Sequence, residues 1–173
     1  NTIFSSNQMN FRLVKCPTAP DNDLCENAIP WAGSMIQGQL VGANTEHPEL
    51  PYNASSSPVA VLGDIWYSFV ATENYASVVA APIGTITDSS HTLYADLYTG
   101  GCSSLTFFSA LGQFDSFSGG STKDTPLLQI GQTYYVRIYN QSVTKSWPLN
   151  FNIIPRPSPS NDLCSTPTNI TLD

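Results

Sequence analysis

Apolar and polar positions alternate along much of this chain with a period of two. Asp64-Ile65-Trp66-Tyr67-Ser68-Phe69-Val70-Ala71 sets Ile65, Tyr67 and Phe69 against Trp66, Ser68 and Val70, as a strand with two distinct faces does. Thr92 to Thr99 sets Leu93, Ala95 and Leu97 against Tyr94, Asp96 and Tyr98. Thr133 to Asn140 sets Tyr134, Val136 and Ile138 against Tyr135, Arg137 and Tyr139. Further strands are expected at Ser34–Asn44, Ser77–Ile83, Leu105–Leu111, Leu127–Ile130 and Leu149–Ile154, with loops at His47–Pro58 and Gly112–Asp124. Asp21 to Ala28 reads as a short helical turn, with Asp21 or Asn22 as its cap and Glu26 in its first turn. No stretch sustains a 3.6-residue period. About seven to nine short strands separated by turn signals predict an all-β fold, an antiparallel β-sandwich of jelly-roll or immunoglobulin-like kind.

A repeat overlies this pattern. Asn22-Asp23-Leu24-Cys25 returns as Asn161-Asp162-Leu163-Cys164, 139 positions on. An apolar segment and a Pro-rich stretch precede both copies: Phe11 to Pro17 before the first, Phe151 to Pro157 before the second. The expected organisation follows. Residues 1–20 are the last strand of a preceding unit, Met9 to Val14, plus a linker, or else an added N-terminal strand. Residues 21–155 are one whole sandwich, and 156–173 are a linker and the start of the next unit. A unit of this length can bury its own core. The alternate prolines of the linkers favour stiff, extended connectors.

Composition narrows the partners. Charged residues make up only 11% and the net charge is −7. With six scattered Lys and Arg, nucleic acid is not an expected partner. No apolar run reaches the roughly 20 residues of a bilayer-spanning helix, so membrane insertion is not expected. The four cysteines, Cys16, Cys25, Cys102 and Cys164, form no C-x-x-C pair, and zinc is not expected. Dispersed cysteines in a chain low in charge and rich in Ser, Thr, Gly and Pro point to an extracellular location. Because Cys164 is the periodic image of Cys25, the unit between them owns Cys25 and Cys102, and these two are expected to pair. Pairings of Cys16 with either one stay open.

Candidate chemistry is sparse. His47 and His91 sit in no setting that would activate a serine or cysteine, and no Gly-x-Ser-x-Gly elbow occurs. The chain is therefore not expected to be an enzyme. Gly119-Gly120-Ser121-Thr122-Lys123 lacks phosphate-loop spacing and reads as a hairpin loop. Asp21, Asn22 and Asp23 space oxygens as calcium loops do, without the glycine turn and distal Glu of an EF-hand. Asp23, Asp64 and Asp96 could also meet at one sheet end. Calcium, held by Asp21, Asp23, Asp64 and Asp96, is the one cofactor these residues suggest, and capping of the domain opening is the simpler reading. Tyr94, Tyr98, Tyr135 and Tyr139 could form an aromatic stripe, either stacking on sugar rings or packing in the fold. Asn53, Asn140 and Asn169 stand in glycosylation sequons, in about the number that chance supplies.

Four segments in this order resemble a known family: Asn-Asp-Leu-Cys-Glu-Asn-Ala-Ile-Pro at 22–30, Asp-Ile-Trp-Tyr-Ser-Phe at 64–69, Leu-Tyr-Ala-Asp-Leu-Tyr-Thr-Gly-Gly-Cys at 93–102 and Gly-Gln-Thr-Tyr-Tyr-Val-Arg-Ile-Tyr at 131–139. Together they look like a tandem β-sandwich repeat of large secreted surface proteins from Bacteroidetes and microbial eukaryotes, distantly similar to pre-peptidase C-terminal and CUB-like domains. The resemblance covers roughly residues 22–154. It implies a non-catalytic extracellular module of adhesins, surface filaments or multidomain enzymes. His91 stands where such modules often carry Asp, which puts in doubt any cation site that relies on that position. The expected function is thus a structural or adhesive repeat whose partners are neighbouring copies, assembling by repetition or by strand exchange through the terminal segments. The alternative is a carbohydrate-binding module that takes surface glycans.

Overall fold

A computed structural model describes residues 18–45, 63–83, 93–114, 121–140 and 148–159. The strongest alternations become the central strands of one sheet. β3 (Asp64–Val70) pairs antiparallel with β8 (Thr133–Asn140), and β8 pairs antiparallel with β5 (Leu93–Thr99). The two-residue β1 (Ile29–Pro30) lies parallel to β3 at one edge, and β6 (Thr106–Phe114) lies against β5 at the other. The sheet order is β1-β3-β8-β5-β6. The second sheet has the order β2-β9-β4-β7 and is antiparallel throughout. It is built from β2 (Ile36–Gln39), β4 (Tyr75–Pro82), β7 (Ser121–Asp124) and β9 (Pro148–Arg156). The expected all-β sandwich is what forms.

Among the described strands, β5 and β6 alone are both consecutive in the chain and neighbours in a sheet. Their hairpin turns on Gly100, whose φ of 94° is open to glycine at little cost. A Cβ there would also stand 2.6 Å from the Ser104 carbonyl oxygen. Every other consecutive pair of strands crosses from one sheet to the other.

The inner faces are the ones the alternation marked. Ile65, Tyr67, Phe69, Ala95, Leu97, Tyr134, Val136 and Ile138 meet Ala76, Val78, Ala80, Leu149, Phe151 and Ile153 in one buried core. Each large side chain so buried contributes about 1.5–3 kcal/mol of transfer free energy. Tyr67 stacks on Phe151 across the sandwich, with centroids 4.0 Å apart and planes 10° from parallel. β2 contributes Gly38 at this point, where a Cβ would collide with the Tyr67 hydroxyl. At the sandwich edge, Trp31 Nε1 donates to Asn152 Oδ1 at 2.9 Å and ties the β1 side of one sheet to the other.

Several expectations need correction. The stretch 112–124 is not a loop throughout, because β6 runs on to Phe114 and Ser121–Asp124 forms β7 at a sheet edge. Leu127–Ile130 is not a strand. There Leu128 enters the core from irregular backbone, with its N–H bonded to the Asn74 carbonyl at 2.7 Å. The weak strand at 34–44 shortens to Ile36–Gln39. The helical turn is a single 3-10 turn at Cys25–Asn27, whose N-cap residue is Leu24 and which has no side-chain cap. Met9–Val14 and the expected loop at His47–Pro58 lie outside the described residues.

Candidate functional site

The side of the five-stranded sheet turned away from the core carries most of the polar chemistry. Strand register sets Asp64 and Trp66 of β3, Tyr135, Arg137 and Tyr139 of β8, and Tyr94, Asp96 and Tyr98 of β5 on this one face. The four tyrosines do form a stripe, as their spacing suggested. It is a packed stripe and not a platform. Tyr94 stacks on Tyr139 with centroids 5.6 Å apart, and Tyr98 lies 5.6 Å from Trp66 and edge-on to Phe107 at 5.8 Å. Tyr98 and Tyr139 are fully buried, whereas Tyr94 and Tyr135 are half-buried.

Arg137 stands at the centre with no exposed surface. Its Nε donates to Asp64 Oδ2 at 2.7 Å and its Nη2 reaches the same oxygen. Its guanidinium carbon lies 5.5 Å from the Trp66 ring centroid and 5.7 Å from that of Tyr139, within cation–π range. Asp96 is its register partner on the other side. Burial alone would lower the Arg137 pKa, but Asp64 and Tyr98 beside it raise it, so the guanidinium stays charged. Burial, then the Asp96 charge, pushes the Tyr98 phenol up to about 12, with Arg137 opposing. The same two causes push the Tyr139 phenol higher still. Both phenols are therefore neutral hydrogen-bonding groups at ordinary pH.

The acidic residues proposed for calcium divide here. Asp64 and Asp96 come to one face, but Arg137 stands between them in strand order and its guanidinium is bound to Asp64. Asp23 is turned elsewhere. Its Oδ1 accepts the Asn44 backbone N–H at 2.6 Å and its Oδ2 accepts Asn44 Nδ2 at 3.1 Å. Asp21 is exposed. Among the described residues, no three or more His, Cys, Asp or Glu side chains group as metal ligands.

The repeated tetrapeptide has an unexpected job at its first copy. Asn22 behaves as a strand partner for Trp66. Its carbonyl accepts the Trp66 N–H at 2.9 Å and its Nδ2 donates to the Trp66 carbonyl at 2.9 Å. Asp23 fixes Asn44, whose carbonyl in turn accepts the Asp64 N–H at 3.0 Å. Cys25 is bonded to Cys102, 77 residues away, the pairing the repeat register favoured. Cys25 also packs on Trp66 and Tyr98, with Leu105, Phe107 and Tyr135 around them, in a second apolar cluster. Residues 22–25 thus latch the opening of the unit onto the outer face, and only Leu24 points outward, at 42% exposure.

Arg137 and Asn44 were not singled out from sequence. A lone charge inside Tyr-Tyr-Val-Arg-Ile-Tyr, with Asp at the head of another strand, is the signal that marks Arg137, since a charge buried in a strand requires a partner. No comparable signal marks Asn44. Of the sequons, Asn140 is 8% exposed and in register with Leu93, so a glycan there would displace its surroundings. Asn53 and Asn169, like Cys16, Cys164, His47 and His91, lie outside the described residues.

No protein-family model matches the chain, and no curated protein sequence does. Among solved structures it is similar to the pre-peptidase C-terminal domain of a collagenase from Bacillus anthracis. The identity is 11% over 73% of this chain and 91% of that one, with a TM-score of 0.40. It is also similar to a ruminal GH26 endo-beta-1,4-mannanase, at 10% identity over 86% of this chain and 28% of that one, with a TM-score of 0.33. The chain thus spans well under a third of the mannanase. The first neighbour belongs to a class that the sequence distantly resembles. Likenesses this weak carry no argument about what the chain binds or does.

Proposed function

We propose that the chain is a structural or adhesive repeat of a long extracellular surface protein or filament, acting through tandem repetition. The observation that carries this reading is the latch. Each residue of Asn22-Asp23-Leu24-Cys25 is a terminus, a tie or a staple of the sandwich opening. The same four residues recur at 161–164, five positions after the last residue of β9. A further sandwich would need such a latch at its own opening, which is why the second copy favours repetition. The Cys25–Cys102 bond supports a secreted domain, because disulfides persist in oxidising compartments. Among the described residues no helix is long and apolar enough to cross a membrane. Repetition of weak contacts raises avidity without a deep pocket at any one unit.

A carbohydrate-binding module has less support, because two of the four stripe tyrosines are fully buried. The test of the repeat reading is the native protein from its source. Peptide mapping should find further Asn-Asp-x-Cys segments at a spacing near 139 residues, on a chain reaching the cell surface. A native chain ending shortly after residue 173 would remove it.

A further inference from the structure

The sandwich has an opening end and a closing end, and they are opposite. Thr18–Asp21 lie along an open cleft of about 410 Å³ with Gln39, Ile83 and Pro148. Pro148 is the first residue of β9, and Arg156, its last, pairs with Tyr75. Beyond Arg156, Pro157 and Pro159 rest beside Tyr75 and Thr125. The chain therefore leaves a full strand length, about 30 Å, from where it came in.

The closing end is built from short connections. Residues 71–74 link β3 to β4, 100–105 link β5 to β6, and 125–132 link β7 to β8. The first and third are tied together: Leu128 N–H donates to the Asn74 carbonyl at 2.7 Å, Gly131 N–H to the Ala71 carbonyl at 2.8 Å, and Ala71 N–H to the Gln132 carbonyl at 3.0 Å. On this rigid corner Val70, Leu127 and Ile130 are 52%, 59% and 56% exposed. Val70 and Ile130 flank the Ala71–Gly131 and Ala71–Gln132 hydrogen bonds, so their open side chains stem from adjoining backbone, with Leu127 on the same connection.

The repeat says what faces it. Residues 157–160 occupy the same place before Asn161 as Thr18–Asp21 do before Asn22. Pro157 and Pro159 touch the closing end of this unit, while Thr18–Asp21 touch the opening end of theirs. If a further unit opens at Asn161, this segment would stand to it as Thr18–Asp21 stand to the present one, with at most about 17 Å of chain between Arg156 and Asn161.

Resting on the tandem reading above, we propose that the closing end around Val70, Leu127 and Ile130 is a docking surface for the opening end of the following unit. Successive sandwiches then stack end to end as a stiff rod and do not swing as beads. The short tether holds the partner at high effective concentration, so a small patch suffices.

The test is a tandem protein in which residues 22–173 follow Ser160 of a first copy, so that the second Asn22 falls at position 161. Small-angle scattering and tumbling measurements should report one elongated rigid body, with a Tm about 2–4 °C above that of the single chain. Val70→Asp, Leu127→Asp and Ile130→Asp together in the first copy should abolish both gains while leaving the Tm of the single chain in place. If the triple variant does not fold as a single chain, Ile130→Ser alone should reduce both gains. A wild-type tandem that behaves as two independent bodies overturns the docking. So does one whose stiffness ignores the substitutions, or a single chain that dimerises through the same residues in trans. If the native protein holds no further copies, the tandem reading itself fails. If it holds them and the tandem protein is flexible, docking alone fails.

Discussion

Asp64 and Arg137 meet on adjacent strands of the five-stranded sheet, joined by a 2.7 Å charge-assisted hydrogen bond, with neither side chain exposed. Removing one member leaves the other charge buried. Arg137→Met is expected to destabilise the fold by about 3–5 kcal/mol, and the double variant Asp64→Leu, Arg137→Met by less than the sum of the two single changes, with buried Asp96 still left beside the missing guanidinium. Urea unfolding checks both. An Arg137→Met protein within about 1 kcal/mol of wild type would show that the pair is not a structural centre.

The Cys25–Cys102 bond closes a loop 77 residues long. Restriction of the unfolded chain by a loop of this size corresponds to about 4 kcal/mol. Cys25→Ser with Cys102→Ser, or reduction of the wild-type bond, should lower stability by that order. The comparison is thermal unfolding with and without reductant. Equal melting of the two forms would mean that the apolar cluster under Cys25 holds the latch unaided.

Gly38 and Tyr67 are coupled through space. Gly38→Ala must push aside a phenol ring stacked on Phe151, at a cost of about 1–3 kcal/mol. Tyr67→Phe removes the oxygen that a Cβ would strike, so Gly38→Ala should cost less in that background. A double-mutant cycle measures the difference, and simple additivity would refute the coupling.

Alkaline pH should unfold this protein earlier than its core suggests. Burial raises Tyr67 and Tyr98 to about 12, and Tyr139 higher, from an ordinary 10. A raised folded-state pKa means that the folded chain holds the proton longer than the unfolded one. The contribution of these phenols is complete below about pH 10 and falls as pH climbs through 12. The denaturation midpoint should drop over that window as tyrosinate absorbance appears together with unfolding. Titration of all eight tyrosines near pH 10 in a still-folded protein would contradict the assignment.

The parts of the fold legible in sequence were those governed by period two. β3, β5 and β8 each divide cleanly into a core face and an outer face, and both faces came out as alternation placed them. β7 was hidden because Ser-Thr-Lys-Asp at an edge carries no apolar signal. Leu127–Ile130 gave a false strand, because Leu128 fills the core from a backbone that Pro126 keeps out of the sheet ladder. Strand order was not legible, since all but one of the connections between the described strands cross between sheets and alternation does not encode which sheet a strand joins. The latch residues were visible as a motif but misread as a cap. The hydrogen bonds of Asn22 go to a tryptophan 44 positions away, and local sequence carries no trace of that distance.

The positions of the latch and of β9 also determine how the unit would bear a pull. Tension applied along an array would come in at Asn22 and Cys25 and leave at Arg156. The covalent bond to Cys102 would carry it directly across the outer face, so the chain from 25 to 102 would bear no load. What remains is β9, gripped lengthwise between β2 and β4 by bonds that must shear together. Under oxidising conditions each unit should therefore yield late, and its extension on yielding is confined to the chain outside the 25–102 loop. Reduction should release roughly 270 Å of hidden chain per unit, a step readable in single-molecule stretching. The disulfide acts as a safety catch that limits how far a broken link can pay out.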